Sequence, residues 1–331
     1  MNQRVITHYL GIDVGKADLY CHLSHGISAR FDNNPKGIRK LQRWVERVVQ
    51  PSQVACCLEQ TGCYSREVAH GLYASGAGAV YVVNPCRVKA FGQQRLRRNK
   101  TDKADAQLIC RFVEQEWEQL GHWSPLAPEQ EAILELYRHV ESLIGQRTQC
   151  QNRLGAAHSK IVAKSLRKMI RNYDREIKSL RQQIDGIIQS DSKLKEAYGL
   201  LLSIPGVSQI TAQAILAEVP RIDEFESGRQ LAAWAGLTPR HFQSGTSGRT
   251  RTPISKVGSA RIRKALYLPA MSAMRYNPQL RSFAQRLKAN GKTGKEIIIA
   301  VARKLLELAY AILKSGQPFD PEYLNPNMKT T

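Results

Sequence analysis

His8-Tyr9-Leu10-Gly11-Ile12-Asp13-Val14-Gly15-Lys16 is an apolar run that carries one carboxylate near its end and closes on a glycine. It reads as a β-strand. Leu19 to Leu23 and Ile27 to Phe31 follow as two further short strands, which makes a meander. Pro35 to Val49 carries Ile38, Leu41, Trp44, Val45 and Val48 on one side, so an amphipathic helix comes next. Val54 to Leu58 is a short continuous apolar run, the pattern of a strand buried on both faces, and Glu59 stands at its end. Tyr64 to Ser75 reads as a helix and Ala79 to Val83 as a strand, which Asn84-Pro85 breaks. Downstream, Asn99-Lys100-Thr101-Asp102-Lys103-Ala104-Asp105 follows the basic run Arg95-Leu96-Arg97-Arg98. If Lys103 to Glu116 is helical, Asp102 and Asp105 open that helix and lie on one face.

Three antiparallel strands followed by alternating helices and strands predict an α/β fold of the RNase H-like kind over residues 1–127. The texture then changes. Leu166, Met169/Ile170, Tyr173, Ile177, Leu180, Ile184 and Ile187 alternate spacings of three and four, and no proline lies between Pro128 and Pro205. Residues 128–200 are therefore expected to be long coiled-coil helices, either an antiparallel hairpin or part of a subunit interface. The polar stretch His158 to Lys168 is the place for a turn. Residues 201–318 read as a compact all-α region. Ile204-Pro205-Gly206-Val207 before the helix Ile210 to Glu218 resembles a helix-hairpin-helix element, in which a glycine turn aims backbone N–H groups at phosphate. Gln230 to Ala235 is a short helix ended by Gly236, and Arg261 to Met274 and Lys295 to Leu313 are strong ones. Between them Thr238 to Gly258 is polar and rich in glycine and serine, more a functional loop than a linker. Residues 319–331 form a tail.

A chain of 331 residues with 42% apolar and 23% charged side chains is globular, yet its formal net charge is +21, from 49 basic and 28 acidic residues. The excess is spread along the chain rather than gathered in a tail. It asks for a polyanionic partner, nucleic acid before an anionic membrane. No apolar run approaches the length of a membrane-spanning helix, and Met1-Asn2-Gln3-Arg4 leads into a strand rather than a signal peptide. The seven cysteines are odd in number and lack paired CxxC spacing, so they read as buried free thiols of a reducing cytoplasm rather than as disulfides or a zinc site.

The acids carry the chemistry. Asp13 ends the first strand, Glu59 ends the central buried strand, and in an RNase H-like sheet these two strands are neighbours. Asp102 and Asp105 read most simply as a helix cap and a first-turn acid favoured by the helix dipole. Beside Asp13, Glu59 and an arginine run, the four together read as oxygen ligands for Mg²⁺, which is hard and prefers carboxylates plus substrate phosphate. Two such ions about 3.5–4 Å apart serve an in-line phosphoryl displacement. Gly-Ile-Asp-x-Gly also occurs in the actin and sugar-kinase superfamily, but a second glycine-rich phosphate loop and an adenosine motif are missing here.

Gly11-Ile12-Asp13, Leu58-Glu59-Gln60-Thr61-Gly62, Asn84-Pro85, Asn99 to Asp105 and Gly236-Leu237-Thr238-Pro239-Arg240, in that order, resemble the DEDD insertion-sequence transposases of the "one-ten" family, the bridge-RNA-guided recombinases. The resemblance runs from Tyr9 to about Pro318. It implies an N-terminal domain related to Holliday-junction resolvases, a coiled-coil region, and a C-terminal transposase domain with a nucleophilic serine. The metal-binding acids carry over to Asp13, Glu59, Asp102 and Asp105, with Mg²⁺ (or Mn²⁺) as cofactor, and the serine to Ser244 of His241-Phe242-Gln243-Ser244-Gly245. Without the resemblance, Ser244 and Ser247 are equivalent loop residues. The resemblance further implies a covalent phosphoserine intermediate, donor and target DNA duplexes, an element-encoded guide RNA, and dimers that pair into a tetramer acting in the bacterial cytoplasm at the nucleoid.

A serine hydroxyl is a weak nucleophile unless a base or metal helps deprotonate it, and Gly245 beside Ser244 would let a DNA backbone approach closely. Arg240, Arg249 and Arg251 are placed to stabilise phosphate charge. Arg87, Lys89, Arg95, Arg97, Arg98, Arg261, Arg263 and Lys264 are expected phosphate contacts as a group. Two other readings stay open: a junction endonuclease that cuts by water and leaves no adduct, and a non-catalytic nucleic-acid-packaging protein that needs no metal.

Overall fold

A computed structural model describes residues 5–62, 64–94, 101–240 and 253–322. Arg95, Arg97, Arg98, Ser244, Arg249 and Arg251 lie outside the described residues, as does Cys63. The chain divides into two compact units, Met1–Pro125 and Leu126–Thr331.

The first unit contains β1 (His8–Val14), β2 (Asp18–Leu23), β3 (Ile27–Asp32), α1 (Pro35–Glu46), β4 (Val54–Glu59), α2 (Tyr64–Ala74), β5 (Ala79–Val83), α3 (Pro85–Gln94) and α4 (Asp102–Glu116). The strands form one sheet in the order β3-β2-β1-β4-β5. β1 runs antiparallel to β2 and parallel to β4, β2 antiparallel to β3, and β4 parallel to β5. This is the mixed RNase H-like sheet that the order of the sequence elements predicts. The apolar run of β4 explains its central place. Val54, Cys56 and Leu58 pack on one face with Leu41 and Val45 of α1 and Val68 and Leu72 of α2. Ala55 and Cys57 pack on the other with Val88 of α3 and Ile109, Phe112 and Val113 of α4.

Asn84-Pro85 does more than end β5. The Asn84 side chain accepts a hydrogen bond from the Cys86 N–H at 2.9 Å, and proline takes the first position of α3. A proline that cannot extend a strand is well suited to open a helix, because its missing N–H would have no partner in the first turn anyway.

The second unit is helical: α5 (Pro128–Gly155), α6 (Lys160–Ser190), α7 (Ser192–Leu202), α8 (Gln209–Glu218), α9 (Gly228–Trp234), α10 (Ala260–Tyr276), α11 (Pro278–Ala289) and α12 (Gly294–Ser315). α5 and α6 pack along each other as an antiparallel hairpin. Ile133 meets the region of Ile184 and Ile188, Val140 and Leu143 meet Ile177 and Leu180, and Arg147 bonds Asp174 at 2.8 Å. The turn falls at the start of the polar stretch, where Ser159 caps α6, so Lys160 to Lys168 is helix. A second break at Asp191, whose side chain caps α7 by accepting from the Leu194 N–H at 2.8 Å, is not visible as a change in apolar spacing.

α8 lies at the centre of this unit, with every residue from Thr211 to Glu218 buried. Its terminal carboxylate, Glu218, accepts two hydrogen bonds from Arg138 of α5, at 3.1 and 3.3 Å, and has Arg261 of α10 at 3.9 Å. A buried charge held this way joins three helices. Gly206, in the turn before α8, has φ +100°, and a Cβ there would lie 2.6 Å from the Ala273 backbone of α10. The glycine thus serves close packing of that turn on α10, and the Val207 N–H already bonds the Ile204 carbonyl at 3.0 Å.

Candidate active site

α4 crosses the sheet antiparallel to β1, and Gly11 is why it can come so close. A Cβ at Gly11 would lie 2.2 Å from the Cys110 nitrogen and 2.3 Å from the Ala106 carbonyl oxygen. The Cys110 thiol donates to the Tyr9 carbonyl at 3.2 Å, one step further along the same contact. Running back from Cys110 through Ala106, the helix brings its first turn to the end of β1. There the carboxylates of Asp13, Asp102 and Asp105 offer oxygens that all lie within 4.8 Å of one another. Gly11→Val is expected to destabilise the protein by about 1–3 kcal/mol through overpacking and to displace this turn. Chemical denaturation of the whole chain, with strand-exchange activity beside it, reads both effects.

The helix cap falls on Thr101 rather than Asp102. Thr101 has extended backbone (φ −143°, ψ 150°), and its hydroxyl accepts from the Ala104 N–H at 3.2 Å. With capping done by threonine, the Asp102 carboxylate faces Asp13 and Asp105 instead of a backbone amide. Three carboxylates this close repel, and the helix N-terminus offsets only part of that. Hard oxygen donors from a strand end and a helix start suit a divalent cation such as Mg²⁺ or Mn²⁺.

Glu59 stands one residue beyond the last paired position of β1 and β4, Ile12 with Leu58, exactly as Asp13 does on β1. It lies on the α4 side with Cys57, whose thiol is held above its ordinary range by burial, with Cys56 and Glu59 adding to the rise and Arg87 opposing it. The tightest acid group among the described residues joins the three aspartates and not Glu59. Asn33 is a tie beside the end of β1 that the strand pattern did not single out. Its amide donates to the Gly15 carbonyl at 2.8 Å and to the Tyr64 carbonyl at 3.2 Å, tying the turn after β1 to the start of α2.

The basic candidates divide. Arg87 stacks over the Phe112 ring at 5.8 Å, and Lys89 is exposed on the same helix. In the second unit Arg263 donates to the Ala235 carbonyl at 2.8 Å, and desolvation lowers its pKa. Lys264 pairs with Glu141 at 2.6 Å, and Arg261 has Glu218 nearby. Arg261 and Lys264 keep largely exposed side chains beside these partners. The Arg240 N–H bonds the Pro253 carbonyl at 2.8 Å and the Ser255 N–H bonds Thr238 at 2.8 Å, so the flanks of residues 241–252 are paired to each other. Gly236 (φ +71°) and Gly258 (φ +133°) make that neck possible, since a Cβ on Gly258 would meet the Trp234 carbonyl at 1.9 Å.

The described cysteines are free, and all but Cys86 are buried. Burial pushes the Cys56 thiol up to about 12 and Cys110 to about 11. At pH 8 about one Cys56 in ten thousand would be thiolate, so iodoacetamide mapping of the native protein is expected to label Cys86 well before Cys56.

Comparison with known proteins gives the family. The chain is 33% identical over 322 residues to the "Pilin gene-inverting protein" of Moraxella bovis, covering 94% of this chain and 97% of that protein. The profile of the "Transposase IS116/IS110/IS902 family" matches residues 198–285. The chain belongs to this transposase family. The profile of its DEDD domain, described as "Transposase", matches residues 10–163 of the transposase, a span that holds all four acids. The transposase is also 26% identical to "Putative transposase y4pF/y4sB" of Sinorhizobium fredii, over 94% of this chain and 85% of that one. It is 22% identical to the "Transposase for insertion sequence element IS1328" of Yersinia enterocolitica, over 94% and 98%. It is an insertion-sequence transposase with a DEDD domain, which implies DNA as substrate and the use of a divalent metal. Among the described residues no helix is long and apolar enough to cross a membrane.

Proposed function

We propose that this transposase is an RNA-guided serine recombinase that cuts and exchanges DNA strands through a phosphoserine link. The observation that supports it most is the joining of Asp13, Asp102 and Asp105 at one end of an RNase H-like sheet. Asp13, Asp102 and Asp105 would hold Mg²⁺ or Mn²⁺, which would supply Lewis-acid stabilisation of the developing charge. The aspartates and Glu59 would hold that ion beside the scissile phosphate, and Ser244 is the attacking group. The Ser244 oxygen loses its proton as it bonds phosphorus, and the displaced 3′ oxygen takes one up as a free hydroxyl. A 3′ hydroxyl of the second DNA then attacks the phosphoserine and returns the serine. Arg240, Arg249 and Arg251 hold non-bridging oxygens as charge builds.

In this reading residues 1–127 hold the acids, 201–318 carry the serine, and the protein acts as dimers that pair into a tetramer. A relative named for inverting a gene fits strand exchange, since inversion requires cut ends to be rejoined without loss. The net charge of +21 suits a protein that grips RNA and two duplexes through phosphates while base pairing reads sequence. The test is to purify the protein from its host and sequence the RNA that accompanies it, then to measure strand exchange with that RNA supplied or removed. A structured RNA encoded beside the gene, and exchange that stops without it, is the expected result. Metal-dependent nicking that is indifferent to RNA would favour a junction endonuclease instead.

A further inference from the structure

The sheet register continues from the acid site toward an uncovered surface. Asp13 pairs with Tyr20, and Tyr20 with Arg30; Gly11 pairs with His22, and His22 with Ser28. Paired residues share a face, and Gly11 faces α4, so both rows lie on the α4 side. α4 packs on β1, β2 and β4. β3 is the edge strand, and its α4-side residues Ser28, Arg30 and Asp32 are exposed. A groove results, with Tyr20 and His22 on its floor and the flank of α4 as its wall.

Lys103 and Arg111 sit on that wall, both exposed. Both stand on the helix that packs over β2; burial lowers the His22 pKa, and Arg111 and Lys103 lower it further. The His22 Nδ1 lies 2.8 Å from the Ser28 hydroxyl. Arg30 lies over the Tyr20 ring at 5.3 Å and is held by Asp18 at 2.8 Å, so its guanidinium is already oriented. Asp18 and Asp32 are the acids of this surface, and Asp18 is paired. Lys103 and Arg111 are two helical turns apart, about 12 Å, the span of three to four base steps at about 3.4 Å.

We propose that this groove between α4 and the β2–β3 edge is the path of the DNA strand that leads to the acid site, with Lys103, Arg111 and Arg30 on its phosphates. The strand's scissile phosphate sits at Asp13, Asp102 and Asp105, and Tyr20 offers a ring edge beside it. The inference rests on the reading that these acids form the reacting centre. Binding of a fluorescein-labelled gapped duplex, followed by anisotropy against salt, tests it in the full chain. The double variant Lys103→Ala/Arg111→Ala is compared with Arg39→Ala/Lys40→Ala, which removes the same charge from exposed positions of α1 on the opposite face of the sheet. The groove pair is expected to lower the slope of log K against log salt by about 2, and the α1 pair by much less. Arg30→Ala should remove about one more unit. A benzophenone side chain introduced at Ser28 should crosslink to the probe, and one at Lys40 should not. Equal slopes in the two double variants, with the wild type binding normally, overturn the groove and leave the recombinase reading standing. A wild type that does not bind DNA overturns both.

Discussion

Asp13→Ala is expected to lower strand exchange by about a thousandfold or more while leaving DNA binding and the far-ultraviolet spectrum unchanged. Asp13 is the one acid of the trio that comes from the sheet, and it lies on the first strand rather than on a loop. Its loss leaves Asp102 and Asp105, adjacent turns of one helix, to position a divalent ion without the strand-side ligand. Lewis-acid stabilisation is worth several kcal/mol, and each 1.36 kcal/mol is tenfold in rate. The change removes a charge from a crowded acid group, so it should not lower stability. An exchange rate within tenfold of wild type would show that Asp13 is not a ligand of the reacting centre.

Ser244→Ala should be as severe and more specific. Wild-type protein mixed with its DNA and Mg²⁺ is expected to give a protein–DNA adduct that survives denaturant, and Ser244→Ala none. Loss of a nucleophile costs on the order of 10⁴-fold or more, because no neighbouring group replaces its covalent role. Ser247→Ala is the matched control, three residues away in the same segment, and should keep the adduct. An adduct that persists in Ser244→Ala would move the nucleophile elsewhere. A wild type that nicks without any adduct would favour hydrolysis by water.

The sheet was legible in the sequence because its signals are local. A continuous apolar run as short as Val54–Leu58 reads as a strand covered on both faces, and the structure covers it with α1 and α2 on one side and α3 and α4 on the other. The grouping of Asp13 with Asp102 and Asp105 was legible only as a conjunction of strand-end and helix-start acids. What brings them together is the missing side chain of Gly11, a long-range fit that no periodicity reports. The capping role read for Asp102 belongs to Thr101, because the cap is decided by which residue turns extended, and both residue types can serve.

α3 was hidden by the double meaning of Asn-Pro, which ends a strand and opens a helix with the same two residues. The break at Asp191 was hidden because apolar spacing continues through it from Ile188 to Leu194. Arg263 and Lys264 carry no local sign of a partner in sequence. Their partners, the Ala235 carbonyl and Glu141, lie far away along the chain, and only the folded helices bring them near.

The central claim is that Asp13, Asp102 and Asp105 form a divalent-metal site. Manganese binding measured by electron paramagnetic resonance tests it most directly, since free Mn²⁺ gives a sharp signal that binding broadens away. Titrating the full-length protein should show bound Mn²⁺ that Mg²⁺ displaces, and the variant Asp13→Asn/Asp102→Asn/Asp105→Asn should leave the Mn²⁺ free at the same concentrations. A triple variant that binds Mn²⁺ as the wild type does would contradict the account.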